Sequence, residues 1–178
     1  MFDRLERLIG KENLNKLHTK TVAVVGVGGV GGYALETLIR NGIENIIIVD
    51  ADTIDITNKN RQIIALDSNL NMKKVDAFEK RIKDINPKCN VTKYDVFLNE
   101  ETKKILFNNK IDYLVDSCDT VTTKIMLIGS SIRLAPQLLC GLHFLLDRLR
   151  LTMQTADKLL LCLFFFRHII YGVPYARL

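Results

Sequence analysis

A glycine-rich run is the first feature of this sequence whose residue types could bind a ligand. Gly26, Gly28, Gly29 and Gly31 form GVGGVG, directly after the apolar segment 21–25 and before a segment typical of a helix. Glycine lets the backbone approach a phosphate closely, and the unpaired amides at the start of a helix attract anions. The run therefore predicts a nucleotide-phosphate site, although it does not distinguish one nucleotide from another.

A carboxylate follows the second apolar segment of the chain. Asp50 comes directly after the run NIIIV at 45–49 and lies 19 residues after Gly31. An acidic side chain at this point of a nucleotide-binding fold can accept hydrogen bonds from ribose hydroxyls. Because NAD and ATP both carry a ribose, Asp50 fits either nucleotide.

Further polar residues follow along the chain, and they favour one class of nucleotide chemistry over another. The segment NKNRQ at 58–62 is followed by Lys73 and Lys74, and then by Asp116 and Asp119 after a later apolar segment. Splitting ATP between its α and β phosphates requires cations for the developing charge and a carboxylate for Mg²⁺. Hydride transfer requires no such set, so an NAD-dependent oxidoreductase is retained only as an alternative.

The elements that would position these residues alternate between strand and helix. This alternation predicts an α/β fold, a Rossmann-like doubly wound and mostly parallel sheet. A helix over 73–85 is indicated by apolar residues at spacings of three and four. The predicted strands are 21–25, 45–49, 90–96 and 111–115, and the predicted helices are 2–8, 12–17, 31–40, 73–85, 100–107 and one from Thr123 onward.

The pattern changes near Gly129. Beyond it the sequence is rich in Leu and Phe without clear periodicity, for example over 159–166, and it carries only two acidic residues. We therefore divide the chain into an ATP-binding domain at 1–128 and an unassigned tail at 129–178. Two interpretations of the tail stay open: a truncated, frameshifted or otherwise replaced ending, or a divergent segment that caps the sheet. The first interpretation predicts a bare sheet edge beyond the fourth strand.

Composition excludes several classes of protein. The apolar content of 48% and the charged content of 25% are ordinary for a globular domain, and no apolar run reaches the roughly 20 residues of a membrane span. No signal sequence is visible, and we expect a cytoplasmic protein. Of the net charge of +5, residues 1–128 contribute +1 (19 basic against 18 acidic), so nucleic-acid binding is weakly indicated. The four cysteines, which form no CxxC pair, predict neither zinc nor disulfides: Cys89, Cys118, Cys140 and Cys162.

Five segments together carry a family resemblance: GVGGVG, VDADTIDITNKNRQ, MKK, RIKDINP and VDSCD. Over residues 2–128 they resemble the ThiF/MoeB superfamily of ubiquitin-activating-enzyme-like proteins. The missing CxxC pairs favour the branch that dehydrates threonylcarbamoyladenosine in tRNA. The resemblance implies ATP and Mg²⁺ as cofactors, activation of a carboxylate, tRNA as substrate and a homodimer. It also implies a possible sulfur-carrier or desulfurase partner.

The resemblance further implies roles for individual residues. Gly29 would lie at the nucleotide and Asp50 at the ribose. Asn58 and Arg61 would contact adenosine and phosphates, and Lys74 would meet the phosphates.

Two more roles follow from the same resemblance. Asp119 would hold Mg²⁺, while Arg4, or Arg7 in its place, would reach the ATP site of a second copy of the chain. Whether the activated species is an acyl-adenylate or an acyl-phosphate stays open. Besides an ATP-dependent enzyme and an NAD-dependent oxidoreductase, a third interpretation of the chain is a nucleotide-binding remnant without activity.

Overall fold

The structure is a computed structural model, and it describes residues 1–134 and 137–140. Two short helices precede the first strand, and strands and helices then alternate. The elements in chain order are α1 Asp3–Ile9, α2 Lys11–Thr19, β1 Thr21–Val25, α3 Gly31–Arg40, β2 Asn45–Val49, α4 Lys74–Ile85, β3 Asn90–Tyr94, α5 Lys103–Phe107, β4 Tyr113–Asp116, α6 Val121–Leu134 and β5 Gln137–Cys140. Two 3₁₀ turns, Ile56–Asn58 and Asp67–Asn69, lie in the long connection between β2 and α4.

The described strands form one parallel sheet in the order β3-β2-β1-β4-β5. In its register Val25 lies beside Val49 on one side and beside Asp116 on the other. The carboxyl ends of β1, β2 and β4 are therefore level. The three connections that leave these ends begin at one edge of the sheet, where doubly wound sheets bind ligands.

Helices cover both faces of the sheet, which explains why its central strands are continuous apolar runs. On one face α3 and α4 pack against β1 and β2, with Ile39, Phe78 and Ile82 in the core. On the other face Leu106 of α5 and Leu127 of α6 complete a second cluster. The predicted fold class is confirmed, and the strand–turn–helix at the glycine run is held by a core on each side.

Several predicted boundaries are wrong by a few residues. β3 ends at Tyr94, and β4 begins at Tyr113 instead of residue 111. Helix α5 begins at Lys103 rather than at 100, because the Asn99 side chain accepts hydrogen bonds from the amides of Glu101 and Thr102 and closes a turn there. Helix α6 begins two residues earlier than predicted, at Val121.

The largest difference concerns the edge beyond β4. Strand β5 pairs with β4 in parallel, with Leu138 beside Leu114, so the bare edge expected there is not observed. Helix α6 also continues through residue 128 to Leu134 without a break. Both elements follow the alternation of the preceding domain, although the division of the chain at 128 stays a prediction. The apolar segment 159–166 lies outside the described residues.

Candidate nucleotide site

The glycine turn is held against the segment that follows β4. Gly26 has a φ of +82°, and a Cβ at this position would lie 2.9 Å from the amide nitrogen of Cys118. A Cβ at Gly31 would lie 1.8 Å from the carbonyl oxygen of Gly26. Neither position can accept a side chain without displacing backbone. These two glycines are required by the packing of the turn itself, whatever ligand it binds.

Gly28 and Gly29 face the connection between β2 and α4 instead. A Cβ at Gly28 would lie 3.6 Å from Nε2 of Gln62, and one at Gly29 would lie 3.5 Å from Cγ of Arg61. These are ordinary van der Waals distances, so a methyl group fits the ligand-free turn. Glycine at these two positions is therefore explained by close approach of a ligand better than by packing.

Asp50 is anchored to the turn. One carboxylate oxygen accepts a hydrogen bond from the amide of Val27 at 2.8 Å, and the other accepts from the amide of Asp52 at 2.9 Å. Burial raises the pKa of Asp50, while these amides and the nearby cation of Lys74 act in the opposite direction. Each oxygen keeps a further lone pair, so the carboxylate can still accept a ribose hydroxyl.

Lys74, the first residue of α4, is brought to the same place. Its ammonium group lies 3.8 Å from Oδ1 of Asp50 and 2.5 Å from Oδ2 of Asp52. The side chain of Lys74 is only 5% exposed, whereas that of Asp52 is 70% exposed. A buried cation whose closest partner lies in solvent can exchange that partner for a phosphate without leaving its position.

The segment 55–62 contacts the glycine turn through its last two residues, Arg61 and Gln62. The side chain of Asn58 accepts a hydrogen bond from the amide of Asp55, and the carboxylate of Asp55 accepts from the amide of Thr57, which fixes the start of the 3₁₀ turn. Arg61 donates from Nη1 to the carbonyl oxygen of Thr57 and to Oδ1 of Asn60. The aliphatic part of Arg61 thus lies beside Gly29 while its guanidinium is exposed.

The aspartate that ends β4 and the one that follows it differ in their surroundings. Asp116 is fully buried and pairs with Lys124 of α6, at 3.1 Å and 3.2 Å from its two oxygens. Asp119 is exposed and lies three residues further along, at the sheet edge that carries the glycine turn. No described hydrogen bond or ion pair connects Asp119 to Asp50, Arg61 or Lys74. Asp119 is therefore placed on the expected edge, and its convergence with the other three stays a prediction.

Comparison with known proteins agrees with this geometry. The sequence model of the ThiF family matches residues 2–143. The chain belongs to the ThiF family. The resemblance inferred from the five segments is confirmed, and the match continues beyond residue 128.

Relatives with known roles resemble this ThiF-family chain over about three quarters of its length. The tRNA threonylcarbamoyladenosine dehydratase of Bacillus subtilis is 47% identical over 132 residues, which cover 74% of this chain and 52% of that protein. The Escherichia coli protein of the same name is 38% identical over 128 residues, covering 72% of this chain and 48% of that protein. The chain therefore spans about half the length of the curated relatives that it matches.

A solved structure shows the same fold with a nucleotide bound. The crystal structure of the Escherichia coli dehydratase TcdA in complex with ATP superposes with a TM-score of 0.76 at 36% identity, covering 78% of this chain and 57% of that one. That relative binds ATP. The ATP interpretation of the glycine turn thus rests on both the geometry and a relative.

No described hydrogen bond or ion pair connects Arg4 or Arg7 to the residues of the candidate nucleotide site. Both are exposed on α1. The ring of Phe2, directly before α1, lies 5.3 Å from the ring of His18, and His18 contacts the carbonyl oxygen of Gly42 before β2. These contacts tie the start of α1 to the amino edge of the sheet, opposite the glycine turn.

Three further residues at the site were not assigned from the sequence. Asp52 is the closest partner of Lys74, and Ser117 donates a 2.6 Å hydrogen bond to the carbonyl oxygen of Gly26. Gln62 is 7% exposed, and its Oε1 has no hydrogen-bond partner in the described part of the chain. Their types are common in surface loops, so only their position against the glycine turn identifies them.

A cleft of about 520 Å³ lies elsewhere, between α3, α4 and the segment 64–69. None of the predicted nucleotide-site residues lines it. Two of its cations, Arg40 and Arg81, already pair with Glu36. Within the described residues, no helix is long and apolar enough to cross a membrane, and no group of three or more His, Cys, Asp or Glu side chains could hold a metal ion by itself.

Proposed function

We propose that this chain binds ATP·Mg²⁺ over the glycine turn and activates the carboxylate of threonylcarbamoyladenosine in tRNA for cyclising dehydration. The observation that carries the proposal is the buried Lys74 ammonium beside Asp50, directly under the turn. A lysine there can hold phosphate charge while Asp50 holds the ribose. The sequence similarity to tRNA threonylcarbamoyladenosine dehydratases supports the choice of substrate.

Each described residue of the site has a separate role in the proposed reaction. The turn and the first amides of α3 receive the phosphates, and Asp50 orients the ribose. The substrate carboxylate attacks a phosphorus atom of ATP, and Arg61 and Lys74 stabilise the charge that develops on the phosphate oxygens. Attack at the α phosphate releases pyrophosphate and forms an acyl-adenylate, whereas attack at the γ phosphate releases ADP and forms an acyl-phosphate. An intramolecular nucleophile then attacks the activated acyl carbon and closes the ring, which expels AMP from an acyl-adenylate or phosphate from an acyl-phosphate.

Mg²⁺ fits the site through Asp119. Mg²⁺ in nucleotide sites is commonly held by one or two carboxylates together with the phosphates, and an exposed aspartate after β4 meets that requirement. Bound there, the ion would neutralise phosphate charge. Asp116 is unsuitable for this role because its side chain is fully buried and already paired with Lys124.

The assembly is part of the proposal. Because α1 is tied to the amino edge of the sheet, Arg4 can serve an ATP site only in a second copy of the chain. We therefore propose a homodimer in which Arg4 of one copy approaches the phosphates bound by the other. The sulfur-carrier or desulfurase partner and the cytoplasmic location stay predictions from the sequence.

Ligand competition tests the proposal. We expect the chain to bind ATP·Mg²⁺ in isothermal titration calorimetry, AMP more weakly, and NAD⁺ weakest of the three. With tRNA that carries threonylcarbamoyladenosine, we expect the appearance of the cyclised nucleoside together with AMP and pyrophosphate, or with ADP and phosphate. Tighter binding of NAD⁺ than of ATP·Mg²⁺ would support the oxidoreductase alternative. ATP binding without turnover would indicate an inactive remnant.

A further inference from the structure

A buried ion pair lies at the carboxyl edge of the sheet, next to the candidate nucleotide site. Lys124, in the first turn of α6, donates to both oxygens of Asp116 at the end of β4. Asp116 is 0% exposed and Lys124 is 8% exposed. The nucleotide chemistry proposed above uses neither residue, although the pair lies only three residues from Asp119.

The pair is connected to the glycine turn by short contacts. Oδ1 of Asp116 accepts hydrogen bonds from the amide of Cys118 at 3.2 Å and from its thiol at 2.9 Å. Ser117 donates from its amide to Val25 and from its hydroxyl to Gly26. The amide nitrogen of Cys118 lies 2.9 Å from the space that a Cβ of Gly26 would fill. A single segment, 117–119, thus spans from the ion pair to the turn.

Stability alone is a poor explanation for this arrangement. Moving two charges out of water is costly, and a well-packed apolar pair of similar volume is often as stable or more stable. A buried carboxylate that accepts hydrogen bonds from both the amide and the thiol of Cys118 does, however, fix the backbone at that residue. The geometry therefore indicates a role in placing the loop.

We propose that Asp116 and Lys124 are positioning residues for the nucleotide site. Their ion pair holds segment 117–119 against the glycine turn and so determines where the Asp119 carboxylate stands relative to the phosphates. The inference rests on the proposed ATP·Mg²⁺ function. It assigns the pair an effect on Mg²⁺-dependent nucleotide binding, separate from any effect on folding.

The test compares Lys124→Met, Lys124→Arg and a matched control in the full chain. Lys20 pairs with Asp112 at 3.3 Å at the amino end of β4, on the opposite edge of the sheet, and supplies the control Lys20→Met. ATP affinity is titrated at several Mg²⁺ concentrations, well below the melting temperature of each variant. We expect Lys124→Met to weaken Mg²⁺-dependent ATP binding about 10–100-fold, as is typical when a group that orients a metal ligand is lost. Binding of ATP without Mg²⁺ should change far less.

The conservative and control variants separate positioning from folding. Lys124→Arg keeps a cation at Asp116 and should restore most of the Mg²⁺ dependence, while Lys20→Met should bind ATP·Mg²⁺ as the wild type does. If Lys124→Met unfolds because a buried carboxylate is left unpaired, the double variant Asp116→Leu/Lys124→Met removes both charges. If the double variant folds, it should still lose the Mg²⁺-dependent part of its ATP affinity.

The outcomes distinguish the two proposals. Wild-type ATP·Mg²⁺ affinity in folded Lys124→Met or in the double variant would overturn the positioning role and leave the proposed function intact. An equal loss of affinity with and without Mg²⁺ would also overturn it, because the effect would then not act through Asp119. Failure of the wild-type chain to bind ATP·Mg²⁺ would overturn the proposed function and, with it, this inference.

Discussion

At the scale of single residues, two adjacent lysines show how position along the chain decides the surroundings of a side chain. Lys73 is 43% exposed and pairs with Asp95 in solvent, whereas Lys74 is 5% exposed and lies beside Asp50. The two side chains have the same chemistry and differ by one position at the start of α4. Lys73 is the extended residue directly before α4, and its ammonium group donates to the carbonyl oxygen of Ala51. Both lysines therefore reach the carboxyl edge of the sheet, but only Lys74 is buried beside Asp50.

Because of this difference, substitution of Lys73 serves as a control for substitution of Lys74 in a test of phosphate binding. We expect Lys74→Met to weaken ATP·Mg²⁺ binding at least about tenfold, because the phosphates lose a charge-assisted hydrogen bond. Turnover should fall by about 100-fold or more, since removal of one charge-stabilising donor commonly costs that much in rate. Lys73→Met should bind and react as the wild type does. The measurements are calorimetric titration and single-turnover kinetics; equal behaviour of both variants would remove Lys74 from the phosphate site.

Cysteine chemistry supplies a second prediction at this scale. Burial raises the pKa of Cys89 to about 11, and burial together with the hydrogen bond to Asp116 raises the pKa of Cys118 to about 12. At pH 8 such values leave on the order of one thiol in a thousand or fewer ionised, and the thiolate is the reactive form. We expect both thiols to resist iodoacetamide in the folded chain and to react in urea. Peptide mass spectrometry checks this, and rapid alkylation of folded Cys118 would contradict it.

At the scale of elements, the strand–turn–helix unit uses its glycines for different purposes. Gly26 and Gly31 allow contacts between backbone segments, whereas Gly28 and Gly29 leave open space next to Gln62 and Arg61. Two of the glycines are thus required for packing, and the other two leave room for a ligand. Substitutions at the two kinds of position should therefore affect folding and ATP binding separately.

Gly31→Ala should prevent normal folding, because its Cβ would lie 1.8 Å from the carbonyl oxygen of Gly26 and the turn would have to open. Gly29→Ala meets no atom closer than 3.5 Å, so we expect its free energy of unfolding to change by less than about 1 kcal/mol. Its methyl group would stand where the nucleotide is expected, and ATP affinity should fall strongly. Urea unfolding and ATP titration are the measurements. Tight ATP binding by Gly29→Ala would show that the nucleotide does not lie against this glycine.

At the scale of the whole molecule, the sheet separates the candidate nucleotide site from the start of α1. The nucleotide residues gather at the carboxyl edge, and the start of α1 is tied to the amino edge through Phe2 and His18. Five residues of a strand span about 17 Å, which exceeds the reach of an arginine side chain. This distance supports the proposal that Arg4 contributes to the ATP site of a second copy of the chain.

If Arg4 acts across a dimer, ATP affinity should depend on protein concentration. We expect the apparent Kd for ATP·Mg²⁺ to decrease as the chain passes from monomer to dimer in analytical ultracentrifugation. In Arg4→Ala this dependence should disappear, while Lys11→Ala, an exposed cation on α2, should retain it. A monomeric chain with concentration-independent affinity, unchanged in Arg4→Ala, would refute the dimer.

Much of the fold could be predicted from local patterns. Strands β1 and β2 and helix α3 begin and end where apolar runs, glycine and asparagine indicate, since all three depend on contacts along the chain or on near-complete burial. Boundaries failed where side chains compete with the backbone, as at Asn99, and β5 was missed because its four residues carry no alternation of their own. A short strand in a parallel sheet is identified mainly by the neighbour that it pairs with.

The sequence by itself determined the nucleotide-binding turn, the alternation that makes a parallel sheet, the carboxylate after β2 and the family. These depend on residue types at short spacing, which act through local backbone geometry. The family resemblance already selected Lys74 over Lys73 and Asp119 over Asp116, and the roles of Lys74 and Asp119 stay predictions. Only the tertiary structure decided the surroundings of these residues: Lys74 is buried beside Asp50, and Asp116 is buried with Lys124, whereas Asp119 is exposed. The reason is physical: an ionic group acts through its distance to other charges and its access to water, and both are set by elements far apart along the chain.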